Sequence, residues 1–386
     1  MHVVHVYATL DPRDGGPPAV IKGLAAGLLA AGHRVTLVSD DPPVAPAVDA
    51  FFGDLPGGAP PRLSVRARLP HPRDPAAAPL RALLAEADVL HVHGIWPPVG
   101  LRATRLAETR GLPWVLTLHG MLHAAALHQK RLKKLVGMYL LGYRRVITGA
   151  AAVHVLNAAE QTEALGPPLP RRVVEIPNGI FPEEFEVLPA RGAFRASVPA
   201  LGDAPFVLAL ARLHIQKGPD LLLEAFARIA ARHPHVHLVF AGPEQGAGPL
   251  LRAAAERHGL SQRVHLPGPR YGRARIEALV DADVFCLPSR QEGFSMAITE
   301  ALAAGTPAVV TERCHFPQVG TARCGRVTSL DPTDLARGLG EVLADPLAAR
   351  EMGARGRALV YAHFTWPRIC KRMEALYSEV APCPGG

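Results

Sequence analysis

The chain has 386 residues, a formal net charge of +8 at pH 7 and 48% hydrophobic residues. This length exceeds the usual size of one hydrophobic core and predicts two domains, and the apolar content excludes a largely disordered chain. The charge fits nucleic acid, an anionic membrane or phosphorylated substrates as partners. The five cysteines include no CxxC pair, which fits a reduced compartment and argues against a structural zinc site.

The first residues, MHVVHVYATLDP, include neither a basic leader nor a long apolar run. No stretch of the chain reaches about 18 uninterrupted apolar residues, the length that a spanning helix needs. We therefore expect a cytoplasmic protein without a transmembrane helix.

The first half of the chain repeats a short apolar strand, a loop with Gly, Pro or Asp, and a longer amphipathic segment. The predicted strands are Val3–Ala8, Arg34–Ser39, Asp88–Val92, Trp114–Leu118, Ala152–Leu156 and Val173–Ile176. The predicted helices are Pro18–Ala31, Ala77–Glu86, Val99–Thr109, Ala125–Ile147 and Ala158–Ala164. This alternation predicts a parallel sheet covered on both faces. The proline-rich segment Asp41–Pro75 either covers a site or only joins two elements.

The pattern breaks at Ile180–Pro205, which is rich in Pro, Glu and small residues, and then restarts. The predicted strands are Phe206–Ala211, Val236–Phe240, Val264–Leu266, Asp283–Cys286 and Ala308–Val310. The predicted helices are Asp220–Ala231, Pro249–His258, Ile276–Val280, Met296–Ala304 and Pro332–Leu343. We expect α/β domains at 1–180 and 205–362, a linker at 181–204 and a terminal helical segment at 363–386.

Both domains are thus expected to be doubly wound and Rossmann-like. Open sheets of this class bind ligands beside the carboxyl ends of their strands, so two facing domains would hold a ligand in the cleft between them. The loops that follow the predicted strands are therefore the place to look for functional residues.

The segment Ser289–Thr311, SRQEGFSMAITEALAAGTPAVVT, combines a loop glutamate, a glycine turn and a helix start. Glu292 ends the loop, Gly293 permits a tight turn, and the helix from Phe294 offers its N-terminal amides to an anion. Glu300 lies eight residues after Glu292, about two helical turns on, so both carboxylates can approach one elongated ligand.

This combination resembles the GT-B-fold retaining glycosyltransferases of family 4, the group 1 type with an E-x7-E motif. The resemblance covers nearly the whole chain and implies that Glu292 contacts the donor sugar and that Glu300 contacts the nucleotide ribose. It also implies that the amides of Gly293, Phe294 and Ser295 hold the diphosphate. The motifs in the second domain are more specific than those in the first.

A second match lies in ALARLHIQKGPD, where Arg212 follows a strand and Lys217 precedes a helix. The R-x4-KG spacing is that of the same family, and the resemblance makes Arg212, Lys217 and Glu292 catalytic. Two fixed cations can neutralise a diphosphate leaving group, so no metal and no cofactor are expected. The donor is then a nucleotide diphosphate sugar of undetermined UDP or GDP type.

The first domain carries looser matches. Gly15 and Gly16 precede a helix and leave their amides open to phosphate oxygens, and the resemblance assigns this loop to the donor phosphates and the acceptor. His91 and His93 lie at the end of one predicted strand and His119 at the end of another. In the family the His of the HG turn faces the donor sugar, which makes His119 a predicted catalytic residue, while His93 is predicted to line the acceptor pocket.

Three further segments bear on organisation. Asn178 and Gly179 match the motif that ends the first domain of the family, and Phe364–Val380 is predicted to be a helix that returns to that domain. The basic stretch His128–Arg145 also carries leucines, a valine and a methionine. It is either an ordinary amphipathic core helix or a surface that meets an anionic membrane or a lipid-linked acceptor.

The sequence thus predicts a retaining glycosyltransferase that uses a sugar or lipid-linked acceptor in polysaccharide or glycoconjugate synthesis, in the cytoplasm or on the inner face of the cell membrane. One alternative is a nucleotide-sugar 2-epimerase of the same fold, although those isomerases carry an SGG turn where this chain has QEGF. Another is a non-catalytic nucleotide-sugar-binding protein. Nucleic acid is not expected as a partner, because aromatic content is 5% and the basic residues are scattered.

Overall fold

A computed structural model gives the fold and describes residues 1–55, 58–65, 77–122, 131–162, 164, 169–170 and 172–381, without the side chains of 131, 132 and 135. The chain divides into two compact units. Unit 1 comprises Met1–Gly179 together with Trp366–Gly386, and unit 2 comprises Ile180–Thr365. None of the helices within the described ranges is long and apolar enough to cross a membrane.

Unit 1 contains a parallel sheet of seven strands in the order β3-β2-β1-β4-β5-β6-β7. Its strands are β1 His2–Val6, β2 Arg34–Ser39, β3 Arg62–Ser64, β4 Val89–His93, β5 Trp114–Thr117, β6 Ala152–Val155 and β7 Val173–Glu175. Val3 pairs with Val35 on one side and with Val89 on the other, so β1 lies between β2 and β4. Because helices cover both faces, the central strands are buried along their whole length.

The helices of unit 1 connect these strands. They are α1 Gly16–Ala30, α2 Pro46–Gly53, α3 Ala78–Ala85, α4 Pro98–Glu108, α5 Arg131–Leu140, α6 Tyr143–Thr148 and α7 Ala158–Thr162. The segment predicted as one helix, Ala125–Ile147, is divided, because Gly142 adopts φ +88° between α5 and α6. The part of that prediction at 125–130 lies outside the described residues.

Unit 2 contains a parallel sheet of six strands in the order β10-β9-β8-β11-β12-β13. Its strands are β8 Phe206–Leu210, β9 His237–Ala241, β10 Val264–His265, β11 Val284–Leu287, β12 Ala308–Thr311 and β13 Gly325–Thr328. β8 pairs with both β9 and β11, which makes it the first strand of a doubly wound sheet. The carboxyl ends of β8 and β11 therefore lie side by side.

The helices of unit 2 cover both faces of this sheet. They are α8 Glu183–Glu186, α9 Ala193–Ala196, α10 Pro219–Ile229, α11 Gly248–Arg257, α12 Gly272–Asp281, α13 Met296–Ala303, α14 Gln318–Thr321, α15 Pro332–Leu343 and α16 Pro346–His363. Two apolar clusters within the unit, one on each side of the strands, include Phe285 and Ile298 in one and Phe226 and Leu238 in the other.

The segment 181–204, predicted to be a linker, belongs to unit 2. Phe185, Phe194 and Leu201 are between 0 and 2% exposed and join the apolar cluster around Phe206 and Phe285. Asp281 holds the segment through the amides of Gly192 and Arg195, at 2.6 and 3.0 Å. Three apolar side chains spread among many prolines and glutamates form no periodic pattern, which is why the sequence suggested a linker.

The proline-rich segment Asp41–Pro75 contains α2 and β3 before the described residues stop at 65. It is therefore partly regular rather than only a connection. Arg62 joins its two parts, because the guanidinium donates to the carbonyls of Pro42 and Pro43 and to Asp49.

The last helix, α17 Trp366–Val380, packs on α1 within unit 1. Gly23 and Gly27 of α1 make room for it, because a Cβ at either position would lie about 2 Å from the Trp366 ring or from Cys370 Sγ. The chain therefore returns to the first unit at Trp366, and unit 1 otherwise ends at Gly179, directly after Asn178.

Candidate active site

The carboxyl edge of the unit 2 sheet brings together a lysine, a glutamate and a serine. Lys217 follows β8, while Ser289 and Glu292 follow the neighbouring strand β11. Lys217 Nζ lies 2.6 Å from Glu292 Oε1, and the Ser289 hydroxyl donates to the same oxygen at 2.5 Å. The Glu292 side chain is 8% exposed and that of Lys217 20%. The lysine of the R-x4-KG motif and the first glutamate of the E-x7-E motif are thus in contact, and Ser289 binds the same carboxylate oxygen.

Gly218 allows the Lys217 loop to approach β11 this closely. It adopts φ +70°, and a Cβ there would lie 2.0 Å from the carbonyl oxygen of Pro288. Arg290 fastens the same two loops, because its guanidinium binds both carboxylate oxygens of Asp220 at 2.8 and 2.6 Å. Its amide also donates to Gln216. The position of the lysine is therefore set by backbone contacts on both sides.

Glu300 lies on α13 and is held by Arg275 of α12. The guanidinium reaches Glu300 Oε1 at 3.2 Å and Glu184 Oε2 at 2.5 Å. Burial raises the pKa of Glu300, and the charge of Arg275 opposes that rise. The structure therefore keeps the second glutamate of the motif buried and paired, apart from the Lys217–Glu292 pair.

The start of α13 is not capped by a side chain. Ser295 is the residue before the helix, and its side chain makes no capping hydrogen bond. The amides of the first helical turn therefore have no capping side chain. Phe294 anchors the preceding loop, with its ring 5.6 Å from that of Phe316 and 6.1 Å from that of Phe364. Gly293 lies between Phe294 and Glu292 in the chain.

Arg212 is exposed, and its guanidinium donates to Gln245 Oε1 at 3.2 Å. Among the described residues no hydrogen bond or ion pair joins it to Lys217 or Glu292. The two cations of the R-x4-KG motif thus share one edge of the sheet but have different partners. Arg212 is free to rotate toward a ligand more readily than Lys217, because only one hydrogen bond to an amide oxygen holds it.

The corresponding edge of unit 1 carries the glycine loop. Gly15 adopts φ +100°, a conformation that favours glycine, and Gly16 begins α1. No side chain caps this helix, and a Cβ at either glycine would meet no atom within 4 Å. The Gly15 amide donates to the carbonyl of Pro12 at 3.3 Å, and phosphate binding by this loop stays a prediction.

His119 occupies a strained turn at the end of β5. It adopts φ +50°, which is uncommon for a residue with a side chain, and Gly120 follows at φ +73°. Glu160 holds this turn, because its carboxylate accepts from the amides of Gly120 and Leu156. Burial raises the pKa of Glu160 to about 7. A strained histidine held by a buried carboxylate is typical of a functional position.

His91 and His93 do not line a pocket, since both are 0% exposed inside unit 1. The prediction that His93 lines an acceptor pocket is therefore wrong. Every second residue of β4 points to the same side of the sheet, and here that side is covered by α17 through Tyr377. His93 instead lies behind His119, with its Nδ1 3.1 Å from His119 Nε2.

The sequence analysis missed three residues that contact the predicted site residues, namely Ser289, Arg275 and Glu160. Ser289 is part of the SRQEG motif, and its distance of three residues from Glu292 could have marked it. Arg275 and Glu160 reach the site only through tertiary packing. Burial raises the pKa of the Cys314 thiol to about 12 and that of Cys324 to about 11.

Solved structures with low identity share this fold. HepE of Anabaena, in complex with UDP and glucose, superposes with a TM-score of 0.78 at 17% identity over 98% of this chain and all of that one. Sucrose-phosphate synthase from Thermosynechococcus elongatus superposes with a TM-score of 0.75 at 23% identity over 98% of each chain. The two parallel α/β units therefore define the class as a GT-B-fold protein.

Sequence comparisons identify the family. Residues 15–179 match the glycosyl transferase 4-like domain, and residues 191–359 match glycosyl transferases group 1. The phosphatidyl-myo-inositol mannosyltransferase of Mycobacterium leprae is 30% identical over 76% of this chain and 74% of its own length. The chain belongs to the group 1 glycosyltransferases with a glycosyl transferase 4-like N-terminal domain.

Two other relatives are similar to this chain. The phosphatidyl-myo-inositol mannosyltransferase of Mycobacterium tuberculosis is 28% identical over 95% of this chain and 94% of its own length. The gpi3 subunit of phosphatidylinositol N-acetylglucosaminyltransferase from Schizosaccharomyces pombe is 26% identical over 76% of this chain, which spans 61% of that subunit. The relatives are glycosyltransferases of glycoconjugate synthesis, and this chain is a glycosyltransferase.

Proposed function

We propose that this glycosyltransferase transfers a sugar from a nucleotide diphosphate donor to an acceptor hydroxyl with retention of anomeric configuration and without a divalent metal. The observation that carries the proposal is the contact between Lys217, Glu292 and Ser289 at the carboxyl edge of unit 2.

Cleavage of the donor places negative charge on the departing diphosphate. Lys217 supplies a fixed positive charge, and Arg212 supplies a second on a side chain that can turn toward the ligand. The uncapped amides at the start of α13 add hydrogen-bond donors. Preorganised cations and amides of this kind stabilise developing charge, so no general acid and no metal is required for the leaving group.

Glu292 is the assigned partner of the donor sugar. One of its oxygens accepts from Lys217 and Ser289 at once, which leaves the other to accept from sugar hydroxyls. Glu300, with its carboxylate oriented by Arg275, is assigned to the nucleotide ribose. His119 and the Gly15–Gly16 loop are assigned further contacts with donor or acceptor oxygens.

Retention follows if the acceptor attacks the face from which the diphosphate departs. A donor phosphate oxygen can then take the acceptor proton. The relatives named for phosphatidylinositol acceptors favour a lipid-linked or sugar acceptor for this chain as well.

The end of α5 supports a peripheral contact with a membrane. Four large apolar side chains there are between 43 and 78% exposed: Val136, Tyr139, Leu140 and Leu141. Lys133 and Arg144 are exposed beside them. Apolar side chains flanked by cations bind the interface of anionic lipid, which would bring the enzyme to a lipid-linked acceptor on the inner face of the cell membrane.

The proposal is tested by donor binding and turnover. A thermal-shift panel of UDP-, GDP- and ADP-sugars selects the donor, and release of nucleotide in the presence of acceptor extracts then gives kcat and KM. We expect Lys217→Ala and Glu292→Gln to lower kcat/KM by roughly a hundredfold or more, the effect of losing one preorganised charge or donor. Chelation with EDTA should leave the rate unchanged.

Lys217 is the only lysine between Ile180 and Thr365. The matched control is therefore a lysine of unit 1. Lys371→Ala removes an exposed lysine of unit 1 and should retain full activity. Near-normal turnover in Lys217→Ala or Glu292→Gln, or a rate abolished by EDTA, would remove the basis of the assignment. Conversion of the donor sugar without an acceptor would indicate an epimerase instead.

A further inference from the structure

A line of three imidazoles leads from the interior of unit 1 to the HG turn. His5 Nδ1 lies 3.0 Å from His93 Nε2, and His93 Nδ1 lies 3.1 Å from His119 Nε2. Both pairs of rings are stacked, with 5.3 Å between centroids. His5 and His93 are 1% and 0% exposed. Each ring therefore shares one hydrogen bond with the next, and no water separates them.

All three rings are neutral near pH 7. Burial lowers the pKa of His5 and of His119 to about 3 and lowers the pKa of His93 well below 6.5. A neutral imidazole carries one N–H and one bare nitrogen. The two hydrogen bonds therefore admit only two arrangements, one with every proton on Nδ1 and the other with every proton on Nε2.

The far end of the line decides between these arrangements. His5 Nε2 is buried and has no hydrogen-bond partner among the described residues. With protons on Nε2, that atom would be a buried N–H without an acceptor, which native structures seldom contain. With protons on Nδ1, it is a bare nitrogen and every buried N–H of His5 and His93 is used. The second arrangement is therefore favoured.

The neighbouring histidines are fixed independently. His154 Nε2 lies 2.7 Å from the carbonyl oxygen of Ile176 and must donate to it. His154 Nδ1 then accepts from the Thr117 hydroxyl at 2.8 Å, and Thr117 accepts from His91 Nε2 at 2.6 Å. His91 Nδ1 finally accepts from the Tyr377 hydroxyl at 2.6 Å. Both nitrogens of His91 are thus engaged in one fully satisfied chain of hydrogen bonds.

That chain also disfavours a metal ion. His5, His91 and His93 each offer one nitrogen, and these atoms lie within 4.8 Å of one another. A metal bound there would displace His91 from Tyr377 or Thr117 and would separate His5 from His93. It would also have to reach a group of residues that is almost completely buried.

We propose that His5 and His93 are positioning residues that hold His119 as its Nδ1–H tautomer, so that His119 donates a hydrogen bond to a ligand oxygen and does not act as a base. Nδ1 of His119 has no hydrogen-bond partner within the described residues. The oxygen belongs to a sugar hydroxyl or to a phosphate. The inference rests on the proposed function, because the tautomer matters to transfer only if His119 meets the substrate.

The tautomer is measured directly by NMR on the full chain labelled with ¹⁵N-histidine. Two-bond nitrogen–proton correlations distinguish Nδ1–H from Nε2–H, and His119→Asn identifies the His119 signals. We expect the Nδ1–H pattern in the wild type. His5→Phe, which cannot donate to His93, should convert His119 to a mixture of tautomers, and His5→Asn, whose amide can donate, should restore the original pattern. His154→Gln, in the other chain, should leave it unchanged.

Kinetics with the donor found for the wild type give a second readout. His5→Phe should lower kcat roughly tenfold, part of what a positioned proton-transfer or donor group contributes, with the donor KM nearly unchanged. His5→Asn should recover most of that loss. If His5→Phe does not fold, the wild-type tautomer and the His5→Asn variant carry the test.

Three results would overturn the inference: an Nε2–H pattern for His119 in the wild type, an Nδ1–H pattern that persists in His5→Phe, or one equivalent of zinc or nickel bound by the chain as purified without a tag. The NMR pattern does not depend on turnover. An Nδ1–H tautomer in a chain that transfers no sugar would therefore disprove the proposed function, while the inference about His5, His93 and His119 would stand.

Discussion

At the scale of single residues, the Lys217–Glu292 pair depends on a residue without a side chain. Gly218 joins Lys217 to α10 and approaches Pro288 so closely that a methyl group cannot be placed between them. Lys217 therefore reaches Glu292 only if Gly218 keeps both its positive φ and its contact with β11. This dependence can be measured against another glycine of unit 2.

Gly259 is the matched control, because it adopts a similar φ of +67° but a Cβ there would meet no atom within 4 Å. Gly259→Ala should lower the free energy of unfolding by about 1 kcal/mol, the cost of a left-handed conformation. Gly218→Ala should cost roughly 1 to 3 kcal/mol more, because the added methyl overpacks the loop. Urea denaturation gives both values.

The same substitution should weaken donor binding, because it moves Lys217 away from Glu292. We expect the affinity for the nucleotide sugar to fall at least tenfold in Gly218→Ala and to stay unchanged in Gly259→Ala, an effect of roughly 1.4 kcal/mol. Equal stability losses together with equal donor affinities in the two variants would show that the Pro288 contact does not position the lysine.

At the scale of elements, the end of α5 presents the apolar surface assigned to the membrane. Leu140→Glu places a carboxylate where the side chain is 78% exposed. It should reduce co-sedimentation with vesicles of phosphatidylcholine and anionic phosphatidylglycerol, and leave folding intact, because no buried contact is lost. High salt should weaken binding of the wild type as well.

Leu347→Glu on α16 is the matched control, since Leu347 is a leucine of unit 2 with a similar exposure of 71% and is not part of the surface at the end of α5. It should bind vesicles as the wild type does. The assignment fails if both variants bind equally well, or if the wild type does not distinguish anionic vesicles from neutral ones.

Some strands and helices could be predicted from the sequence, and others could not. The central strands are continuous apolar runs, because both faces of the sheet are covered, and such runs are readable without a structure. β3 and β13 were missed because they are edge strands, short and half-exposed, with arginine in each. α16 was missed because many small and charged residues give it little apolar periodicity.

In the candidate site, too, some residues could be predicted from the sequence and others could not. Glu292, Glu300, Arg212 and Lys217 lie in local motifs whose spacing is visible in one sequence. Their partners are not. Arg275 lies on a different helix from Glu300. Ser289 donates to Glu292, a contact that a serine in a sequence does not by itself predict. The burial of His93 depends on α17, which packs on unit 1. Tertiary packing decides such features, and no local pattern encodes them.

At the scale of the whole molecule, the histidines make unit 1 sensitive to acid. Burial lowers the pKa of six of them, which are His2, His5, His91, His93, His119 and His154. The unfolded chain binds protons below about pH 6.5, whereas these folded sites do not. Their stabilisation is present above pH 6.5 and is lost as the pH falls toward 4, by about 1.4 kcal/mol per histidine and pH unit.

Two carboxyl groups of unit 1 instead make its stability increase as the pH falls. Burial raises the pKa of Glu160 to about 7 and that of Asp40 to about 6, so their contribution to stability grows as the pH falls through these values. Because six histidines oppose two carboxyl groups, acidification from pH 7.5 to pH 5.5 lowers the net stability of unit 1. Unit 1 should therefore unfold at lower urea concentration at pH 5.5 than at pH 7.5.

Tryptophan fluorescence reports on this unit specifically, because Trp96, Trp114 and Trp366 are the only tryptophans of the chain and all belong to unit 1. Urea titrations at the two pH values should show the fluorescence midpoint move down on acidification. A midpoint that stays constant or rises would show that the buried histidines do not control the stability of unit 1.

The most direct test of the central claim is the stereochemistry of the product. With a donor of known anomeric configuration, ¹H NMR of the glycosylated acceptor early in the reaction gives the configuration of the new bond from the coupling between its first two ring protons, or from the one-bond carbon–proton coupling for manno sugars. Retention at a Lys217–Glu292 site predicts the donor's configuration in the product, with no product in Lys217→Ala. An inverted product, or transfer that persists without Lys217, would contradict the account.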